Sequence, residues 1–438
     1  MNYQEAWAYL DNLQFFKIKL GLDSLAGFLG QVGDPQDTLS CVHVAGTNGK
    51  GSVAMNLLTL LKGGGYKVGL YTSPHLSSVR ERFRINDDYI SEEEFAAIAT
   101  QIAAVLGDQQ ITYFEFATAL AFLWFARQQV DLVILEVGLG GRLDATNIVR
   151  PLVSVITNVS MDHEAYLGTT LAQVAFEKAG IIKKGVPVVS GVGADVSQEV
   201  VVARCAELGA ELRLLGREFQ HENEGEGQWT YQGVGRRMSG LRCGMRGDYQ
   251  RDNASLALAV CELLEDMGWP LAEQVRRDQI AKVSWPGRLE YFSLDQNGHR
   301  HTEGDLSPGG WRYLLDGAHN PAGMESLCAS LGQDFAYQRL ICVWAAMADK
   351  DIATSLATIS PFCEVLVFTR PESERSATPE QLRAALGPFG GEIHVELAVE
   401  DALERARTLA GAEDLILVAG SLYLVGAARR SLLGELVG

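Results

Sequence analysis

The chain has 438 residues and a formal net charge of -18, and 47% of its residues are hydrophobic while 21% are charged. This composition predicts a globular protein of roughly two or three domains and excludes a disordered chain. The acidic charge repels nucleic-acid phosphates and anionic lipids, so we expect neither nucleic acid nor a membrane as a partner. Seven cysteines without a Cys-x-x-Cys pair, and an N-terminus without a signal-peptide pattern, favour a cytoplasmic protein.

The first half of the chain alternates short apolar runs with segments of helical periodicity. The apolar runs predict strands at 39–44, 68–71, 132–137, 153–157 and 186–190. The periodic segments predict helices at 53–61, 92–105, 116–126 and 171–179. Ser91, followed by Glu94, is typical of a capping box at the start of the second of these helices. This alternation predicts βαβ units and a parallel sheet.

A second alternating series follows a change of composition near residue 210. It predicts a helix at 252–267, a polar loop at 296–310, and strands at 313–315, 340–344, 365–368 and 415–418. The step Trp285-Pro286-Gly287 is typical of a domain boundary. We therefore predict an α/β protein with a P-loop, parallel-sheet N-terminal domain at 1–284 and a smaller, Rossmann-like C-terminal domain at 285–438.

A glycine-rich turn lies between the first predicted strand and the first predicted helix: Gly46-Thr47-Asn48-Gly49-Lys50-Gly51-Ser52. The backbone N–H groups of such a turn and the N-terminus of the helix after it bind phosphate. Lys50 can reach the β and γ phosphates, and Ser52 can hold Mg²⁺. The strict P-loop pattern is not met, because Val44 stands where its first glycine belongs and Gly51 separates Lys50 from Ser52. A tight turn without a ligand is the alternative, but the combination favours a nucleotide.

Polar side chains follow three other predicted strands. Glu136 ends the strand at 132–137, where ligands of a parallel sheet gather, and its carboxylate suits Mg²⁺. His163 follows the next strand and would complete a two-metal arrangement with Glu136. Ser73 offers a hydroxyl after the strand at 68–71. The structural alternatives are an acid that caps the next turn and a histidine with a packing role.

Two further patterns admit both a functional and a structural interpretation. Arg80, Arg82 and Arg84 form an alternate-residue basic stripe, for which a solvated edge strand is an equally good explanation. In the second domain, a strand, a tight turn and a helix start crowd together at Asp316-Gly317-Ala318-His319-Asn320-Pro321, which indicates a site. The alternative is that Asn320 only caps the helix that Pro321 begins.

Six short motifs follow one another along almost the whole chain: HVAGTNGKGS at 43–52, TSPHL at 72–76, VRERFR at 79–84, GLGGRLDATN at 138–147, EKAG at 177–180 and DGAHNP at 316–321. In this order they resemble the folylpolyglutamate synthases and dihydrofolate synthases of the Mur ligase superfamily. The departures of the turn at 46–52 from the general P-loop pattern are expected for this family. One departure from the family itself is Asn86-Asp87-Asp88, where relatives often carry Asn-Gly in a turn.

The resemblance implies a role for each group of residues. It implies ATP contacts at Gly46, Thr47, Asn48, Gly49, Lys50, Gly51, Ser52, Asn253, Arg288 and Asp316. It implies two Mg²⁺ sites, with K⁺ as a further candidate ion and with metal ligands at Ser52, Ser73, Glu136 and His163. It implies pterin or folate contacts at Arg82, Thr112, Tyr113, Phe114, Glu115, Leu143, Asp144 and Ala145. It implies catalytic roles, with a carbamate on Lys178, for Lys50, Lys178, Asp316 and His319.

The activity that the resemblance implies is ATP-dependent addition of L-glutamate to a dihydropteroate or folate carboxylate through an acyl phosphate. We expect ATP, L-glutamate and dihydropteroate or a reduced folate as partners, and a monomeric protein. The N-terminal domain would bind ATP and folate, and the C-terminal domain would be a glutamate-ligase domain. The alternatives are another amino-acid ligase such as a cell-wall precursor enzyme, a P-loop kinase, and a nucleotide switch without catalysis.

Overall fold

The computed structural model describes residues 1–13, 21–301 and 310–434, so part of the predicted polar loop, 302–309, lies outside the described residues. Two compact units divide the chain. Unit 1 comprises Met1–His75, Val79–Gly244 and Gln250–Val283, and unit 2 comprises Leu76–Ser78, Met245–Tyr249 and Ser284–Gly438. Within these described ranges, no helix combines the length and the apolar character needed to cross a bilayer.

The elements of unit 1 are as follows. Its strands are β1 (Cys41–Ala45), β2 (Val68–Tyr71), β3 (Phe83–Ile85), β4 (Asp88–Tyr89), β5 (Leu132–Glu136), β6 (Val153–Ile156), β7 (Val188–Ser190), β8 (Leu212–Leu214), β9 (Gln220–Gly225), β10 (Gln228–Gln232) and β11 (Arg237–Arg242). Its helices are α1 (Tyr3–Asn12), α2 (Asp23–Gln31), α3 (Lys50–Gly63), α4 (Glu92–Leu106), α5 (Tyr113–Arg127), α6 (Glu164–Leu167), α7 (Leu171–Ala179), α8 (Val196–Leu208), α9 (Tyr249–Asp266) and α10 (Glu273–Ile280).

The main sheet of unit 1 has eight strands in the order β4-β3-β2-β5-β1-β6-β7-β8. From β2 to β8 the pairing is parallel, and only β3 and β4 add an antiparallel edge. Every residue of β1 and β5 is buried, as the continuous apolar runs predict for strands covered on both faces. The predicted parallel α/β fold is confirmed. β1 begins at Cys41 instead of residue 39, because Pro35–Thr38 forms a 3-10 turn that ends against Leu39.

A separate antiparallel sheet, β11-β10-β9, was not predicted. Its three strands carry few apolar residues, and β9 is almost entirely exposed. Trp229 and Tyr231 on β10 and Met238 and Leu241 on β11 supply its buried apolar side chains. Because so few apolar residues alternate along each strand, the hydrophobic pattern is too weak to identify the sheet from the sequence.

Unit 2 is a second α/β layer structure with a seven-stranded sheet in the order β13-β12-β14-β18-β15-β16-β17. Among the described residues, β12 pairs antiparallel with both β13 and β14, and the remaining neighbouring strands pair parallel. The four strands predicted in this region and the helix predicted at 252–267, which is α9, are confirmed. The strands are β12 (Glu290–Leu294), β13 (Arg300–His301), β14 (Trp311–Leu315), β15 (Leu340–Trp344), β16 (Val365–Phe368), β17 (Glu392–Val395) and β18 (Leu415–Ala419). The helices are α11 (Pro321–Asp334), α12 (Ile352–Ile359), α13 (Pro379–Ala385), α14 (Val399–Leu409) and α15 (Leu422–Leu433).

Candidate active site

The glycine-rich turn lies at the carboxyl end of β1 and leads directly into α3, which begins at Lys50. The Nζ of Lys50 turns back over the turn and donates to the carbonyl oxygens of Gly46 (3.0 Å) and Thr47 (3.1 Å). Ser52 lies buried in the first turn of α3, where backbone N–H groups have no partner within the helix. The local geometry therefore offers N–H donors, a lysine and a hydroxyl together at one helix start.

Two glycines of this turn are required by close neighbours. Gly46 has a φ of 151°, and a Cβ there would lie 1.8 Å from the Oγ1 of Thr157. Gly49 has a φ of 82°, and a Cβ there would lie 2.5 Å from the Oδ1 of Asn253. Asn253, on α9, therefore lies directly against the phosphate-binding turn. The amide of Asn253 is in turn held by Gln250, because its Nδ2 donates to the Oε1 of Gln250 at 2.9 Å.

Lys178, near the end of α7, is buried, and its Nζ donates to the carbonyl oxygen of Gly46 at 2.9 Å. Burial lowers the pKa of Lys178 to about 7; the nearby charge of Lys50 lowers it further, and Asp162 opposes them. The structure thus brings Lys50 and Lys178 together at Gly46, with Asp162 near enough for its charge to raise the pKa of Lys178. A lysine with such a pKa is substantially uncharged near neutral pH.

Glu136 and Ser73 are joined at the ends of neighbouring strands. The backbone N–H of Ser73, just after β2, donates to the Oε2 of Glu136 at 3.0 Å, and Glu136 is buried at the end of β5. In the parallel register of β1 and β5, Glu136 pairs with Val44, two residues before the phosphate-binding turn. Across the described residues, no group of three or more His, Cys, Asp or Glu side chains could hold a metal ion. Carboxylate and hydroxyl oxygens still fit Mg²⁺, which takes few protein ligands and completes its shell with water and phosphate oxygens.

His163 adopts the left-handed backbone conformation, with a φ of 52°, at the start of α6. Its backbone N–H donates to the Oδ1 of Asp162 at 2.8 Å. Positive φ is uncommon for residues other than glycine and concentrates at functional sites. The charge of Asp162 also raises the pKa of Lys178, so the segment that carries His163 interacts electrostatically with the lysine pair.

Residues expected to contact the pterin are neighbours in unit 1. The guanidinium of Arg82 lies 5.3 Å from the ring centroid of Tyr113, and its Nε donates to the Nδ1 of His75 at 3.0 Å. Phe114 lies against Gly138, where a Cβ would come within 2.5 Å of the ring. Thr112 caps α5 by accepting from the N–H of Glu115.

The two carboxylate oxygens of Glu115 have different surroundings. Its Oε2 accepts from the N–H of Thr112 at 2.7 Å. Its Oε1 is buried, and no partner for this atom is found within the described part of the chain. A buried carboxylate oxygen without a donor is costly, so Oε1 is an available acceptor for a ligand N–H.

Asp144 organises its own loop. Its Oδ2 accepts from the N–H groups of Gly138 (3.0 Å) and Leu139 (2.8 Å), and its Oδ1 accepts from the N–H of Thr146 (3.0 Å) and from its hydroxyl. His43, buried on β1, completes this chain through a 2.8 Å contact between its Nε2 and the Oγ1 of Thr146. Burial raises the pKa of Asp144. Its neighbours Leu143 and Ala145 are half-buried and buried, respectively.

The arginine stripe does not form a single face, so the edge-strand interpretation is wrong. Arg80 and Arg82 are buried in the 3-10 turn Val79–Arg82, and only Arg84 lies on a strand, β3. The Nε of Arg80 donates to the carbonyl oxygen of Ile90 at 2.6 Å, and that of Arg84 to the carbonyl oxygen of Asn86 at 2.6 Å. The three guanidinium groups therefore serve three different contacts, because the 3-10 turn breaks the two-residue period of a strand.

In unit 2, Asp316 follows β14 and is buried. Its Oδ2 accepts from the N–H of Leu289 and its Oδ1 from the N–H of Ala318, each at 2.8 Å. Burial raises the pKa of Asp316, while the charge of Arg288 opposes the rise. His319 donates from Nδ1 to the carbonyl oxygen of Gly317 (2.7 Å), which leaves Nε2 as the acceptor nitrogen of its neutral ring.

Asn320 caps α11 by accepting from the N–H of Gly323 at 2.8 Å, and Pro321 begins the helix, as the structural interpretation predicted.

Comparison with known proteins identifies the chain. Residues 44–261 match the Mur ligase middle domain, and residues 302–422 match the Mur ligase, glutamate ligase domain. The chain is 35% identical to a folylpolyglutamate synthase of Lacticaseibacillus casei over 99% of both chains. This chain belongs to the folylpolyglutamate synthase and dihydrofolate synthase family.

Solved structures agree with this membership. E. coli FolC in complex with DHPP and ADP shares 32% sequence identity and a TM-score of 0.87, over 98% of this chain and 97% of that one. A bifunctional folylpolyglutamate synthase/dihydrofolate synthase with Mn, AMPPNP and L-glutamate bound shares 32% identity and a TM-score of 0.85, over 99% and 98%. The predicted resemblance, the fold class and the ligase class are confirmed for this member of the Mur ligase superfamily. The residue roles stay predictions.

Several residues of this ligase had no predicted role and yet contact the candidate site. Thr157, Asn158 and Ser160 contact the phosphate-binding turn, and Gln250 holds Asn253. Within the segment at 157–163, the sequence predicts a role for His163 alone. The signal that points to the others is that polar residues directly follow a buried parallel strand next to β1.

Proposed function

We propose that this ligase joins L-glutamate to the carboxylate of dihydropteroate or a folate, using ATP and an acyl phosphate. The observation that carries the proposal is the phosphate-binding turn, on which Lys50 and Lys178 converge at the carbonyl of Gly46. Support comes from relatives that bind ADP with DHPP, and AMPPNP with Mn and L-glutamate. Dihydrofolate, folylpolyglutamates or both would be the products, with ADP and phosphate.

The chemistry explains why a nucleotide is needed. A carboxylate is a poor electrophile, so its oxygen first attacks the γ phosphorus of ATP, the bond to the bridging oxygen of ADP breaks, and an acyl phosphate forms. The amine of glutamate then attacks the acyl carbon, and the carbon–oxygen bond to phosphate breaks. Lys50 and the N–H groups at the start of α3 would bind the oxygens on which negative charge develops.

For the metal, we propose Ser52, Ser73, Glu136 and His163 as protein ligands, in two Mg²⁺ sites. Mg²⁺ bound there would neutralise charge on the phosphates. The chain's own residues position these donors: β2 and β5 bring Ser73 and Glu136 together, and Ser52 lies in the first turn of α3. A K⁺ site remains part of the proposal without a residue assignment.

For Lys178, we propose carbamylation. Only the uncharged amine reacts with CO₂, and a pKa of about 7 makes that form abundant near neutral pH. The product replaces a cation beside Lys50 with an anion, which removes repulsion and offers oxygen ligands to a metal. A protonated Lys178 would instead repel both Mg²⁺ ions.

For the remaining substrates, we propose one group of contacts in each unit. Unit 1 would bind the pterin or folate through Arg82, Tyr113, Phe114 and the free Oε1 of Glu115, with Thr112 as the helix cap. The loop with Leu143, Asp144 and Ala145 would contribute backbone, because both oxygens of Asp144 are engaged. Unit 2, as the glutamate-ligase domain, would supply Arg288, Asp316 and His319 to the nucleotide and the reaction. The proposed domain limits are 1–284 and 285–438.

A cytoplasmic location is part of this proposal. All seven cysteines are free, which fits a reducing compartment.

The deciding experiment measures phosphate release with ATP, Mg²⁺ and L-glutamate, and with dihydropteroate or tetrahydrofolate as the acceptor. A ligase releases phosphate only when glutamate and an acceptor are both present, and the amide product appears in equal amount. A P-loop kinase would need no glutamate, and a nucleotide switch would show no dependence on either substrate. Turnover with one acceptor and not the other would assign the enzyme to one of the two activities, and no turnover with either would refute the proposal.

A further inference from the structure

Five hydrogen bonds join the turn at 46–48 to the segment at 157–160, which follows β6. The N–H of Thr47 donates to the carbonyl oxygen of Asn158 at 3.0 Å, and the N–H of Asn48 donates to its side-chain Oδ1 at 2.9 Å. The Oγ1 of Thr157 donates to the carbonyl oxygen of Asn48 at 2.6 Å. The Oγ1 of Thr47 donates to the carbonyl oxygen of Ser160 (3.1 Å) and accepts from its N–H (3.0 Å).

These contacts decide which N–H groups can bind phosphate. The N–H groups of Thr47 and Asn48 are already engaged by Asn158, so neither is available to a nucleotide without breaking a protein hydrogen bond. The N–H groups of the first turn of α3, which begins at Lys50, have no partner within the helix. Phosphate recognition therefore falls to the second half of the glycine-rich turn.

Thr157 also determines the path of the chain through Gly46. Its hydroxyl occupies the space of a side chain at position 46, since a Cβ there would lie 1.8 Å from Oγ1. Gly46 is thus needed for the close approach of Thr157. The carbonyl oxygen of Gly46 accepts from both Lys50 and Lys178, so the placement of this one residue sets where both lysines point.

We propose that Thr157 and Asn158 are positioning residues for ATP binding. They hold the turn at 46–48 in shape, which directs the N–H groups of the first turn of α3 to the phosphates. Neither side chain needs to touch the nucleotide. The inference rests on the proposed function, because it concerns the nucleotide of that same reaction.

The segment at 157–160 also continues into Asp162 and His163. The charge of Asp162 raises the pKa of Lys178, and His163 is one of the proposed metal ligands. Hydrogen bonds at Thr157 and Asn158 therefore connect the phosphate-binding turn to the residues on the metal side through a short stretch of chain. Removing these hydrogen bonds should therefore weaken nucleotide binding more than glutamate binding.

The test uses the full chain with two substitutions that keep side-chain size. Thr157→Val removes the hydroxyl, and Asn158→Leu removes the acceptor for the N–H of Asn48. Each should raise the Kd for ADP, measured by calorimetry with Mg²⁺, about tenfold, as expected when a buried donor or acceptor loses its partner. The KM for ATP should rise with it, while the KM for glutamate stays within about twofold.

Two control variants separate positioning from general destabilisation. Thr157→Ser keeps the hydroxyl and should keep the Kd of the unsubstituted protein. Ser154→Ala removes a buried hydroxyl of the preceding strand, β6, which donates to the carbonyl oxygen of Ile181 at 3.1 Å instead of to the turn at 46–48. It should leave the Kd for ADP unchanged, and melting temperatures measured for all four variants show which of them fold normally.

Distinct outcomes overturn the two proposals. If the unsubstituted protein binds ADP and turns over, but Thr157→Val and Asn158→Leu bind ADP equally well, Thr157 and Asn158 are not positioning residues. The same conclusion follows if Thr157→Ser is as impaired as Thr157→Val. If the unsubstituted protein binds neither ADP nor ATP, the proposed function itself fails, and the variants need not be compared.

Discussion

Lys50 and Lys178 donate to the same carbonyl oxygen, that of Gly46, at 3.0 and 2.9 Å. Two ammonium groups at one acceptor repel each other, and this adds to burial in lowering the pKa of Lys178. Lys50 keeps a part-buried position at the start of α3. Lys178 is therefore the lysine of this pair that is suited to losing its charge.

Lys50→Ala should lower kcat roughly 10²–10³-fold, because it removes a fixed donor for the charge that develops on the phosphates. Steady-state phosphate release gives the measurement.

Glu136→Gln should raise the Mg²⁺ concentration needed for half-maximal rate, since a neutral amide is a weaker ligand than a carboxylate. If Glu136→Gln responds to Mg²⁺ as the unsubstituted enzyme does, Glu136 is not a metal ligand.

Lys178→Ala should lower activity roughly 10–100-fold, as expected for loss of a group that supports a metal site. If Lys178 acts as a carbamate, a small carboxylate such as acetate should partly restore turnover, because it can occupy the vacated space as an anion. Rates with acetate are compared with rates in chloride at equal ionic strength. Lys184→Ala, at an exposed lysine, is the matched control and should behave as the unsubstituted enzyme.

Direct detection of the carbamate completes this test. Mass spectrometry under mild conditions, or electron density for the ATP-bound enzyme, should show the added carboxylate on Lys178. An unmodified amine together with near-normal activity of Lys178→Ala would contradict the proposal.

His43 predicts a pH effect on stability. Burial lowers the pKa of His43 from 6.5 to about 3, with the charge of Lys183 as a second cause. The unfolded chain therefore binds more protons, so the stabilisation is complete above pH 6.5 and is lost as the pH falls towards 3. Between pH 7 and pH 5 the enzyme should lose about 2 kcal/mol more unfolding free energy than His43→Gln. Urea unfolding at both pH values measures this, and equal losses would show that folding does not lower the pKa of His43.

At the scale of elements, the start of α4 was predictable from its capping motif. Ser91 accepts from the N–H of Glu94 at 3.1 Å, and the Glu94 side chain accepts from the N–H of Ser91 at 3.4 Å, so the predicted capping box of α4 is confirmed. The same arrangement joins Thr112 and Glu115 at α5. A cap is local, so a four-residue pattern is enough to identify it.

Ser91→Ala should reduce the free energy of unfolding by about 1 kcal/mol, because the first turn of α4 loses a side-chain acceptor. Ser91→Asp keeps an acceptor and should stay close to the original stability. Thermal unfolding monitored by circular dichroism compares the two variants. Equal stability of Ser91→Ala and the unsubstituted protein would mean that packing alone fixes this helix start.

At the scale of the whole molecule, charge opposes self-association. The net charge of -18 makes copies of the chain repel one another. We predict a monomer with the chain mass of 47.6 kDa, measured by light scattering after size-exclusion chromatography. A species of about twice that mass, unchanged on dilution, would contradict this prediction.

The order of strands and helices and the phosphate-binding turn were predictable because their causes are local. Apolar runs such as Leu340–Trp344 form strands that are buried on both faces. The glycines beside Lys50 indicate a turn whatever the tertiary structure around it. The antiparallel strands β9–β11 were missed for the opposite reason. Their stability comes from a few buried side chains and from pairing with one another, which no short window of sequence displays.

Contacts between distant residues required the folded chain. Asn48 bonds to Asn158, 110 positions later, and Lys178 bonds to Gly46, 132 positions earlier. The sequence contains each of these residues, yet their meeting depends on β6 lying beside β1 in the sheet. Burial likewise arises only on folding, so the low pKa of Lys178 has no local signature. Residue type and local spacing thus determine which chemistry is available, and strand order determines which groups meet to perform it.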